Sequence, residues 1–154
     1  MTGARWLFAP PGEGEESRAA RTLALAAALY GVTIAIHTAD HVRRGLGSVT
    51  PEVLRAGSVS TVIAAGAIVL ALMRNRFAPA VAAAVGFSSA LGVAAVHLLP
   101  QWSAFSDPFP GSSVDIGSWI AVCIEILGAV AFGLAGLSAL LRQRNPTLGS
   151  GFEP

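Results

Sequence analysis

Four long apolar stretches run through this chain, separated by short segments rich in Arg, Pro, Gly and Ser. A hydrocarbon core about 30 Å thick is crossed by roughly 20 apolar residues in a helix. The stretches at 22–41, 53–73, 78–99 and 116–141 meet or nearly meet that length. Before the second stands Thr50-Pro51-Glu52, a helix-start signal of capping hydroxyl, first-turn proline and early acid. That helix should begin near Pro51, with Arg55 reaching out to the interface. Arg74-Asn75-Arg76 is so tight a turn that helices two and three become antiparallel neighbours, and Pro79 is tolerated in the first turn of the third. The fourth helix should start after Gly111-Ser112-Ser113, with Asp115 in its first turn, and stop at Asn145-Pro146. The expected fold is an all-α integral membrane protein, a single up-down-up-down four-helix transmembrane bundle over residues 22–144. The ends, 1–21 and 145–154, show no periodicity and read as flexible cytoplasmic segments.

A polar stripe interrupts the first apolar stretch: Tyr30, Thr33, His37, Asp40 and His41, at spacings of three and four, share one helix face. Ionisable side chains are costly in a bilayer, so this stripe, joined by His97 and Glu125 further along, marks a candidate buried site. Glu125 lies about 13 Å into helix four from Ile116 at 1.5 Å per residue. Small residues recur every fourth position in Ala27, Gly31, Ala35 and Ala39, and again in Ala121, Glu125, Ala129 and Gly133. His97 has Ala94, Ala90, Ser89 and Gly86 on its face. Such ridges let transmembrane backbones approach, so they should face the bundle.

Composition agrees with this reading. The 154 residues are 53% hydrophobic and 12% charged, with a mean hydropathy of +0.63, too apolar for an ordinary soluble domain. A net charge of +1, with every basic residue an Arg near a segment end, gives no field for nucleic acid, which is excluded as a partner. The lone Cys123 forbids an internal disulfide and every paired-Cys zinc motif, so any metal must use His and carboxylate. In a core helix, Cys123 itself reads as a small apolar residue. The early Glu13, Glu15 and Glu16 do not fit a cleaved signal, and the first helix reads as a retained anchor. Seven arginines fall on the side of the termini and the 2–3 turn, against Arg43, Arg44 and Arg55 on the other. The positive-inside rule then puts both termini in the cytoplasm of a multi-pass plasma-membrane protein, with the histidines at the outer end.

His37 and His41 have the spacing at which two imidazoles on one helical turn bind one ion. His97 can supply a third nitrogen, and Asp40 or Glu125 an oxygen or a proton acceptor. This donor set suits zinc, copper, iron or manganese. Tyr30, Thr33, Ser88 and Ser89 are candidate orienting groups. Haem b, held axially by His37 and His97, is the second cofactor option. The competing readings are a metal-free membrane enzyme using Glu125 and a His as acid and base on a lipid-soluble substrate, and a non-catalytic accessory subunit. In the plainest reading the terminal histidines are merely solvated at helix ends, and the expected partners are the bilayer, other membrane helices or further copies of the chain. The Pro100–Gly111 connection, with Trp102, Phe105 and Phe109, reads as an interfacial segment or a lid that turns Asp107 toward the polar cluster.

Overall fold

The computed structural model describes residues 13–144, which form four α-helices and one short 3-10 turn, with no strand among them. The helices are α1 (Glu13–Arg44), α2 (Pro51–Leu72), α3 (Ala78–His97) and α4 (Ile116–Arg144). All four are long and apolar enough to cross a membrane. α2 starts at Pro51 because Thr50 caps it, its Oγ1 accepting from the Val53 N–H at 3.2 Å. α3 stops at His97 and not at 99, since Pro100 biases the residue before it away from helical geometry. α1 starts at Glu13 and not near 22: Glu, Ala and Arg are strong helix formers and carry the helix beyond its apolar part. Part of the N-terminal segment expected to be flexible is therefore helical. Residues 1–12 and 145–154, with the Asn145-Pro146 stop, lie outside the described residues. Asp115 sits just before α4, not in its first turn, and its Oδ1 accepts from the N–H groups of Gly117 (2.8 Å) and Ser118 (3.3 Å).

Each helix packs on two neighbours in the cycle α1, α2, α3, α4, and the interfaces of α4 with α3 and α1 are the most extensive. Ala121, Glu125, Ala129 and Gly133 are all buried, because α3 and α1 together cover a wide face of α4. The corresponding ridge on α1 does not hold: Ala35 and Ala39 are exposed. A four-residue step drifts about 40° around a helix of 3.6 residues per turn. Alternating steps of three and four stay on one face, and the buried stripe of α1 is accordingly Leu23, Ala27, Tyr30, Thr33, His37 and Asp40. Tyr30 stacks on Phe132 of α4, ring centroids 5.5 Å apart, at the centre of the core.

α2 behaves differently along its length. Ala64, Ala67 and Ala71 in its second half are buried, but no residue from Leu54 to Ile63 is. The first half stands away from the bundle and leaves a cavity of about 390 Å³ between it and the other helices.

Candidate metal centre

The stripe of α1 and the end of α3 converge at this cavity. His37 and His41 have ring centroids 4.6 Å apart, and His97, the last residue of α3, stands 5.0 Å from His37 and 5.6 Å from His41. One ring nitrogen from each histidine lies within 4.8 Å of those of the other two, so the three can hold a metal ion. Around a tetrahedral ion with bonds of about 2.0–2.1 Å, nitrogens are about 3.4 Å apart. The nitrogens as they stand exceed that spacing by about 1.4 Å at most.

Neighbours fix one ring nitrogen of His37 and one of His97. His37 Nδ1–H donates to Glu125 Oε2, and His97 Nδ1–H donates to the Asp107 carbonyl at 3.1 Å. Both acceptors hold the proton on Nδ1 and leave Nε2 with a free lone pair. His37 is only 6% exposed, and its Nε2 is buried without a hydrogen-bond partner. An unsatisfied buried polar atom costs about 1–3 kcal/mol, and this one sits among two other imidazoles. Carboxylate or carbonyl, imidazole and open nitrogen in series is the arrangement that orients histidine ligands around metals. His41 is the least fixed ring: it is half-buried, and its Nδ1 faces a donor, Arg44 Nη2, at 3.4 Å.

An ion-pair network closes the end of the site. Arg44 Nη2 donates to Asp107 Oδ2 at 2.6 Å, its Nε lies 3.7 Å from Asp40 Oδ2, and its guanidinium covers the Phe109 ring at 5.2 Å. Phe109 packs in turn on His97, centroids 4.7 Å apart. Arg43 donates to Asp40 Oδ1 at 2.7 Å, to Asp115 Oδ2 at 2.7 Å and to Ser118 Oγ at 3.1 Å. Beside Arg43, the Asp115 carboxyl, which lies before the α4 span, is held below the usual carboxylate range. The Pro100–Gly111 segment folds back on α3: Asp107 N–H donates to Val96 O at 3.0 Å and Phe109 N–H to His97 O at 2.9 Å. Thr50 Oγ1 donates to Ala104 O at 2.6 Å and ties the same segment to α2.

The structure thus brings together His37, His41, His97 and Glu125, with Tyr30 and Ser89 further along the same cavity wall. Asp40, weighed as a catalytic or ligating carboxylate, is instead bound by Arg43 and Arg44. Asp107 meets the cluster through its carbonyl, while its carboxylate pairs with Arg44 and lies 3.5 Å from His97 Nδ1. Thr33 does not reach the site; it donates to Tyr30 O at 2.9 Å and packs against Gly128. Ser88 is exposed and bonded to the Ala84 carbonyl of its own helix. Cys123 is exposed and not a core residue. Trp102 and Phe105 are exposed, whereas Phe109 is buried. The roles of Arg43 and Arg44 escaped the sequence reading, although their positions three and four residues after Asp40 are those of helical ion pairs. Phe109 carried no such signal, because its contact with His97 depends on the return of the loop.

No protein-family model, curated protein or solved structure matches this chain.

Proposed function

We propose that the protein binds one transition-metal ion through His37, His41 and His97 at the outer end of a membrane-spanning bundle. The observation that carries this reading is the buried, unpartnered Nε2 of His37 beside two further imidazoles. Three nitrogen ligands leave a coordination position open, as in sites that exchange a ligand or act on one. Metal handling and a membrane-bound reaction each use that open position, whereas electron transfer does not require it. Zinc, copper, iron and manganese all accept imidazole, and Glu125 serves as the charge-balancing carboxylate behind His37. Haem fits these residues less well. Axial imidazoles face an iron from opposite sides of a flat macrocycle, whereas these three rings lie against one another.

The short connection between α2 and α3 supports alternating helix directions, the arginine distribution supports both termini in the cytoplasm, and we place the bundle in the plasma membrane as part of the same proposal. The remaining exposed small-residue faces suit other membrane helices or a second copy of the chain.

The test is metal analysis of the full chain purified in detergent after growth with added zinc, copper, iron or manganese. About one ion per chain is expected for three-histidine ligation, without a Soret band. It is lost in His37→Ala and His97→Ala, with elution on size exclusion unchanged, and weakened less in His41→Ala. A wild-type protein that elutes as folded and binds none of these ions sinks the reading. A second reading then takes its place, because His37 and Glu125 without a metal form an acid–base pair at the end of an apolar cavity.

A further inference from the structure

The cavity beside the histidines has a chemistry of its own. At about 390 Å³ it falls within the range of roughly 300–1,000 Å³ that holds small organic molecules. Its walls are mainly apolar, including Ile34, Val53, Val93 and Val96, with hydroxyls from Ser60 and Thr61. No Arg or Lys lines it, and its one carboxylate, Glu125, is bonded to His37. Away from the histidine end a charged group would be desolvated without a counter-charge, so the body of the occupant must be uncharged, as must any molecule that reaches the cavity through lipid. Thr38 and Val42 of α1, and Leu54, Ser58 and Thr61 of α2, line the cavity and are all exposed. The opening therefore lies between these two apolar helices, sideways to the bundle, where a spanning protein meets lipid.

We propose that this cavity binds an uncharged, lipid-soluble molecule with an apolar body and one oxygen-bearing head group. It arrives from the bilayer between α1 and α2 and rests with that group at the three histidines. Contact of the head group with an ion rests on the metal reading; occupancy of the cavity does not.

Gly57 provides the test, because it lines the cavity and an added Cβ there meets nothing within 4 Å. The Cβ of a larger residue is accommodated there, and Gly57→Leu adds apolar volume to the cavity wall. The probe is 4-hexylphenol, compared with hexylbenzene, titrated calorimetrically into the detergent-solubilised full chain with and without added zinc. Saturable binding of 4-hexylphenol is expected, weaker by at least about tenfold in Gly57→Leu, which corresponds to about 1.4 kcal/mol. Hexylbenzene, which lacks the hydroxyl, should bind less tightly, and the metal content of Gly57→Leu should equal that of wild type. If Gly57→Leu does not elute as wild type does, Thr61→Leu in the same wall carries the same measurement. Saturable binding to a protein that holds no metal supports the cavity proposal while sinking the metal reading. Equal binding to wild type and the filled variant, or no saturable binding, overturns the proposal even where metal is bound. So does a filled variant whose only change is its oligomeric state, which would mean that the gap receives a helix.

Discussion

At the seam between α3 and α4, Gly86 and Gly136 lie against backbone, whereas Gly57 and Gly66 of α2 face open space. A Cβ on Gly86 would stand 2.5 Å from the Gly133 nitrogen and 2.6 Å from the Ala129 oxygen. One on Gly136 would stand 2.6 Å from the Ala83 nitrogen. At Gly57 and Gly66 of α2 there is nothing within 4 Å. All these helices are rich in Ala, Gly and Ser, so composition does not separate the two regions; the surface opposite does. Where a second small-residue helix faces the glycine, the backbones close to direct contact and dispersion holds them together. Where none does, the same residues leave a gap. The closed seam holds His97 on α3 and Glu125 on α4 in a fixed relation. Against it, α1 brings His37, and the standing-off half of α2 leaves the nitrogens an approach from the side.

The largest effect should come from breaking the closed region. Gly86→Ala places a methyl group against main-chain atoms that cannot rotate away, so α3 and α4 must separate. Overpacking of this kind costs about 1–3 kcal/mol, and the upper end is expected here because every near atom is backbone. Unfolding by heat or by added SDS in mixed micelles measures it. A variant as stable as wild type would show that the seam is not closed in the protein as purified.

A smaller and more local effect should follow from Glu125→Gln. The amide oxygen can still accept from His37 Nδ1–H, so the fold and the ring orientation survive while the carboxylate charge is lost. Removing such an outer partner lowers metal affinity by about 10–100-fold, read by competition with a chelator of known affinity. Affinity unchanged from wild type would show that the carboxylate charge behind His37 does not strengthen the site.

Much of the fold is legible in the sequence because the bilayer sets helix length, and Thr50-Pro51 marks a start that the capping hydrogen bond bears out. The buried face of α1 is legible for the same kind of reason: spacings of three and four hold one face over several turns. What the chain alone does not reveal is which polar groups meet across helices. Thr33 reads as an orienting group and Glu125 as an oxygen ligand or proton acceptor, but Thr33 turns to its own backbone and the carboxylate goes to His37. Asp40 reads as a ligand because it shares the stripe with two histidines, yet its carboxylate pairs with Arg43 and Arg44 of the same helix. The cavity left no trace at all. Nothing in the order Gly57, Ser58, Val59, Ser60, Thr61 distinguishes a helix that packs from one that stands off.

The smallest effect belongs to the open region and sharpens the comparison most. Gly66→Ala makes the same chemical change as Gly86→Ala, on a helix surface where the added methyl meets nothing. Helix propensity favours Ala over Gly by about 1 kcal/mol, so the variant should be as stable as wild type or slightly more so, with its metal content unchanged. The pair of substitutions then differs only in what lies opposite. If Gly66→Ala instead destabilises as much as Gly86→Ala, the α2 surface is covered in the purified protein by something outside this chain. Size exclusion would then show a species larger than one chain in wild type that is smaller in the variant. In that case the outward face of α2 around Gly66 is an interface with a second chain.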